Sequence, residues 1–171
     1  MKKIVVILGG VIAVVGVLAS FLDQTLGFWQ VLKSVEFLGN TTNTTTFLSS
    51  FGQLSNTADD TIVTLEKSSI TLIVGISILL GGVIATIGAS VEKNGLAIIG
   101  TVLMLVGLAY FLYSLSNFAE IVDFVEDQGA LFGNATSTFI STTTLTWRLG
   151  NGYFISAGGS IIALVGAILK E

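Results

Sequence analysis

The chain has 171 residues, 52% hydrophobic and only 11% charged, with a net charge of −4 and no cysteine, histidine or proline. Soluble domains carry about 25% charged residues, so this is the composition of a membrane protein. The missing cysteine excludes disulfides and thiolate metal sites, the missing histidine removes the commonest general base and transition-metal ligand, and the acidic balance argues against nucleic acid as a partner.

The first predicted element is an uncharged span from Ile4 to Leu22, preceded by Lys2 and Lys3. At 1.5 Å per residue it covers roughly 28 Å, close to the hydrocarbon thickness of a bilayer. Val17-Leu18-Ala19-Ser20 has the small-residue character of a signal-peptide cleavage site. Retention as a span is the expectation, because its glycine pattern returns in three later runs. Those runs are Ile70 to Ser90, Gly95 to Tyr113, and Tyr153 to Leu169. In each of the four, two glycines stand seven residues apart: Gly9 and Gly16, Gly81 and Gly88, Gly100 and Gly107, Gly159 and Gly166. Seven residues are nearly two helical turns, so each pair lies on one helix face. Small residues at such positions let backbones approach where lipid removes the hydrophobic drive. All four pairs fall toward the same end of the spans, which predicts a bundle tight at that end and splayed at the other.

Only Val91-Glu92-Lys93-Asn94 joins the second and third spans, so these form an antiparallel hairpin. Lys2, Lys3, Lys93 and Lys170 lie on the side of the termini; Lys33, Lys67 and Arg148 are spread over the two long loops. The positive-inside rule then places the termini in the cytoplasm and the long loops outside. All acidic residues except Glu92 and Glu171 fall on the outer side. Both tryptophans and all three tyrosines fall there or at the outer boundary, the depth such rings favour. Three sequons, beginning at Asn40, Asn43 and Asn134, lie in the outer loops and mark candidate glycosylation sites.

The first outer loop reads as a helical continuation, since apolar residues recur at Leu26, Trp29, Leu32 and Val35. After Tyr113 they recur at Leu115, Phe118, Ile121, Val122 and Val125. Thr57-Ala58-Asp59-Asp60 resembles a capping box, starting a helix through Ile62 and Leu65. The threonine-rich segment from Thr136 to Thr146 is instead expected to be extended.

The chain also reads as one unit written twice. Ile98 to Gly107 parallels Ile7 to Gly16, and Phe132-Gly133-Asn134-Ala135-Thr136 parallels Leu38-Gly39-Asn40-Thr41-Thr42. Residues 1–93 form the first hairpin unit and residues 94–171 the second, related by an axis along the membrane normal. The fold class expected is an all-α membrane protein: a four-transmembrane-helix bundle of two tandem hairpin units, its helices extended on the outer side.

No catalytic constellation is present, and no Asp, Glu, Lys or Arg lies within any span, which argues against ion-coupled transport. Glu120, Asp123 and Asp127 share one helix face and form the best candidate cation site, suited to calcium; a solvated acidic face is the simpler reading, and Asp59-Asp60 reads as a helix start rather than a metal site. No cofactor is expected.

The order of span, large outer loop, span, tight inner turn, span, outer loop, span resembles that of the claudin-like and tetraspanin-like membrane proteins. Gly27-Phe28-Trp29 is similar to the Gly-Leu-Trp of the claudin-like first outer loop. The paired cysteines of that loop and the Cys-Cys-Gly of tetraspanins have no counterpart, so no residue role is carried over.

The function expected is that of a non-enzymatic membrane scaffold or accessory subunit in a cell membrane or virion envelope, assembling with copies of itself or a larger complex. The alternatives are a channel or transporter for a small uncharged solute, and an outer-face calcium or ligand sensor.

Overall fold

The computed structural model describes residues 2–22, 26–58, 61–67, 69–115 and 132–169. In chain order these form α1 (Lys2–Leu22), β1 (Trp29–Phe37), β2 (Asn40–Leu48), β3 (Gln53–Ala58), β4 (Thr61–Lys67), α2 (Ser69–Ser90), α3 (Asn94–Leu115), β5 (Gly133–Thr138), β6 (Thr142–Leu149) and α4 (Asn151–Ile168). All four helices are long and apolar enough to cross a membrane. Their bounds lie within two residues of the expected spans, because uncharged runs of this length have a single stable form in lipid.

The all-α expectation is overturned. The two long connecting segments contribute, among the described residues, one antiparallel sheet of order β4-β3-β2-β1-β6-β5, so the fold is a helical bundle carrying a sheet. The predicted helical continuation through Leu26, Trp29, Leu32 and Val35 is largely β1, and the predicted helix through Ile62 and Leu65 is β4. A step of three residues alternates between the two faces of a strand and so cannot mark a strand face. The pattern that matters is the two-residue one: Trp29, Val31, Val35 and Phe37 share one face of β1, with Leu32 on the other. The extended reading of the Thr136 to Thr146 segment holds, as β5 and β6. The second expected continuation, beyond Leu115, lies outside the described residues.

Register fixes the sheet. Trp29 stands opposite Leu48 of β2 and Leu149 of β6, and Val31 opposite Trp147. Trp29, Leu48, Leu54 and Trp147 are buried and continuous with the bundle core. Burial fades along the strands: Glu36 and Phe37 at the far end of β1 are exposed. The β1–β2 and β5–β6 turns therefore lie side by side, at the rim farthest along the strands from the helices.

The bundle is a ring. α1 packs on α4 and α2, α2 on α3, and α3 on α4, while the diagonal pairs barely meet. The tight α2–α3 turn is a Schellman motif. Lys93 N–H donates to Gly88 O at 2.8 Å, and Glu92 N–H donates to Ala89 O at 3.3 Å. Glu92 takes the left-handed conformation, with φ 58°. Its carboxylate reaches Lys3 Nζ at 3.1 Å, which places the start of α1 and this turn at the same end of the bundle.

Candidate functional site

Glycine decides how the helices meet. A Cβ on Gly9 would strike Ala163 N of α4 and lie 2.6 Å from Gly159 O, and one on Gly159 would strike Ala13 N of α1. Gly16 faces Ser156 and Gly152 of α4, and Gly166 faces Val5 and Val6 of α1. The α2–α3 seam repeats this arrangement. Gly100 faces Ala85 N and Gly81 O; Gly81 faces Gly100 O and Met104; Gly88 faces Ala97 N. Gly107 is looser, its Cβ position 3.2 Å from Ile78 and Ser77 side chains. The sequence singles out all eight of these glycines, and the fold sets each against a neighbouring helix.

The doublets Gly9-Gly10 and Gly81-Gly82 explain the ring. Successive helix residues are about 100° apart, so the two members of a doublet face different neighbours. Gly9 faces α4 while Gly10 faces Thr86 and Gly82 of α2; Gly81 faces α3 while Gly82 faces Val14 and Gly10 of α1. Each doublet thus turns a corner. Spacing within single helices pointed to the seams, but the corner role of Gly10 and Gly82 emerges only when three helices are placed together. Among the described residues no glycine joins α3 to α4. That seam carries the Phe111–Tyr153 ring contact, with centroids 5.8 Å apart.

Small polar side chains add little beyond packing. Ser156 Oγ–H donates across the α1–α4 seam to Ala13 O at 3.1 Å. Thr101 and Ser160 bond carbonyls of their own helices, at Ile98 and Ser156.

The sheet end of the bundle is filled with aromatic rings. Phe28, fully buried, meets Phe111 edge-on at 5.1 Å and Tyr153 edge-on at 5.8 Å. Phe28 is held by its backbone: its N–H donates to Leu48 O at 2.7 Å and its carbonyl accepts from Gly150 N–H at 2.9 Å. A side chain at Gly150 would collide with Gly27 O, so that position admits only glycine.

A second anchor joins sheet to bundle at the β2–β3 turn. Ser50 is buried between α1 and α2. Its N–H donates to Ser20 Oγ at 3.2 Å and its hydroxyl donates to Val17 O at 3.2 Å, while the two hydroxyl oxygens are 2.7 Å apart. Gly75 N–H of α2 donates to Ser50 O at 3.1 Å, an approach that a side chain on Gly75 would block. Neither Ser50 nor Gly75 is signalled in the sequence, since the contact joins residues distant along the chain.

Asn40, Asn43 and Asn134 are all exposed. Asn43 opposes Ser34, and Asn134 opposes Thr146, itself opposite Leu32. The two therefore share the sheet face opposite Trp29 and Trp147. Glu120, Asp123 and Asp127 lie outside the described residues; among those described, no three carboxylates group as a metal site. The paired sequence segments separate in an informative way. The helix contacts repeat, Gly9 on Ala163 matching Gly100 on Ala85. The loop pentapeptides do not superpose: β2 runs toward the bundle after Leu38-Gly39, whereas β5 runs away from it.

No protein-family model matches this chain, and no curated protein matches it.

Proposed function

We propose that this protein is a non-enzymatic integral membrane scaffold or accessory subunit that assembles laterally, with copies of itself or within a larger membrane complex. The observation that carries the reading is the β5 edge. Among the described residues β5 is paired on one side only, with β6. Its residues Gly-Asn-Ala-Thr-Ser-Thr carry no charge and no proline, and all but Ala135 are exposed. Proteins that remain separate normally guard such an edge with lysine, proline or a bulge. The opposite edge differs: β4 ends in Glu66-Lys67, and its pairing with β3 shifts register at Leu54/Ser55.

The glycine faces are occupied within the bundle, so they are not the lateral joint. The rings of Phe28, Phe111 and Tyr153 fill the sheet end. This speaks against a solute route through the bundle. The termini and the α2–α3 turn are read as cytoplasmic and the sheet as outside, where the three sequons are open to a glycosylating host.

Native mass spectrometry of gently solubilised protein tests the proposal. Oligomers or a retained companion are expected, and a Ser137→Lys variant, which places a charge on the β5 edge, is expected to release the monomer. A wild-type protein that is strictly monomeric and without companion overturns it.

A further inference from the structure

We infer that the far rim of the sheet inserts into the headgroup and outer acyl region of a second bilayer facing the one that holds the helices. Four large apolar side chains stand on the two neighbouring turns: Phe37 and Leu38 on the β1–β2 turn, Phe139 and Ile140 on the β5–β6 turn. Their exposures are 47%, 85%, 92% and 74%. Neither turn needs them. Leu38 and Gly39 have φ 49° and 82°, the signature of a hairpin turn with two left-handed residues. Asparagine or glycine suits the first position far better than leucine. A backbone-strained, solvent-exposed leucine therefore answers to something other than the turn. The neighbouring hairpin carries Phe-Ile at its own turn, and the β1–β6 pairing, with Glu36 opposite Thr142, sets the two turns together.

The protein's own membrane is out of reach by the straight path. β1 spans nine residues, about 30 Å of strand between the bundle end and the rim. Shape and size favour lipid over protein. The rim is two protruding turns, which a fluid phase can surround without a matching pocket. At about 170 Å² per fully exposed side chain, the four present roughly 500 Å². Each partner of a standard specific interface contributes about 800 Å². Residues 132–147 and Phe37 to Phe51 carry no charge, and the charge that borders the rim, Glu36, is negative, so the attraction is apolar and does not call for anionic lipid.

The test uses the full chain reconstituted in phosphatidylcholine vesicles and mixed with protein-free phosphatidylcholine vesicles. Vesicle clustering is expected, at least ten-fold weaker for Leu38→Asn/Phe139→Ser/Ile140→Ser and unchanged by added salt. Leu38→Asn alone supplies a residue the turn prefers, so it keeps the fold and is expected to weaken clustering by itself. A Phe139→Trp variant is expected to show an indole emission shift to shorter wavelength on adding protein-free vesicles. Clustering only when both vesicle populations carry protein would assign the rim to a second copy and overturn the inference, as would an unshifted indole. Ser137→Lys, which tests lateral assembly, is expected to leave clustering intact, so the two proposals fail separately.

Discussion

A hydrogen in place of a methyl group sets the distance between two backbones at Gly100, where Ala85 N and Gly81 O occupy the space a Cβ would need. Backbone cannot rotate aside as a side chain can, so Gly100→Val must push α3 from α2. The expected loss is about 3 kcal/mol, read from unfolding of the detergent-solubilised protein. Gly9→Val is expected to act alike on the α1–α4 seam. Gly158 is the control, since nothing lies near its Cβ position; Gly158→Ala is expected to cost nothing and to raise stability by up to about 1 kcal/mol. Glu92 shows the opposite situation. It holds the left-handed position of the α2–α3 turn, where glycine is favoured, and its ion pair with Lys3 is exposed on both sides. Glu92→Gly is expected to raise stability by about 0.5–1 kcal/mol, measured in the same unfolding assay.

Between elements, two narrow places among the described residues hold the sheet to the bundle, and each offers a test. Ser20→Ala removes the oxygen that accepts Ser50 N–H in a buried turn. An orphaned buried donor costs about 1–3 kcal/mol, and hydrogen exchange should quicken first at the β2–β3 turn. Phe28→Ala empties the aromatic cluster at the sheet end, with an expected loss of about 3–5 kcal/mol. At this scale the sequence is legible for helices and misleading for β1. Spans without charge are helical because no other form satisfies their backbone in lipid. The residues of β1 lie outside that constraint, and their apolar spacing fits both a three-residue and a two-residue repeat. The threonines from Thr41 to Thr46 carry the same strand preference as those of β6, and they mark β2 as extended.

Taken as a whole molecule, the ring of helices has a basic end, with Lys3 beside the α2–α3 turn, and a sheet end filled by aromatic rings. If the sheet faces outside, expression in a glycosylating host should give mass shifts that disappear stepwise with Asn40→Gln, Asn43→Gln and Asn134→Gln. Tags at either terminus should stay protected from protease in sealed right-side-out vesicles; a terminal tag cleaved there would reverse the orientation. The repeated glycine contacts suit a twofold relation along the membrane normal for the helices, since such a rotation preserves direction. The opposed directions of β2 and β5 exclude the loop pentapeptides from it.

Length, charge and glycine spacing alone determined the four spans, their bounds, the shared side of the tight turn and the start of α1, and the helix faces that need a close approach. Those are properties of a segment and its solvent, written within about twenty residues. The sheet, the docking of Ser50 between Ser20 and Gly75, the corner role of the glycine doublets and the side-by-side placing of the β1–β2 and β5–β6 turns were decided only by the tertiary structure. Each joins residues far apart in the chain, and the strand register that brings them together is settled by which faces can be buried at once.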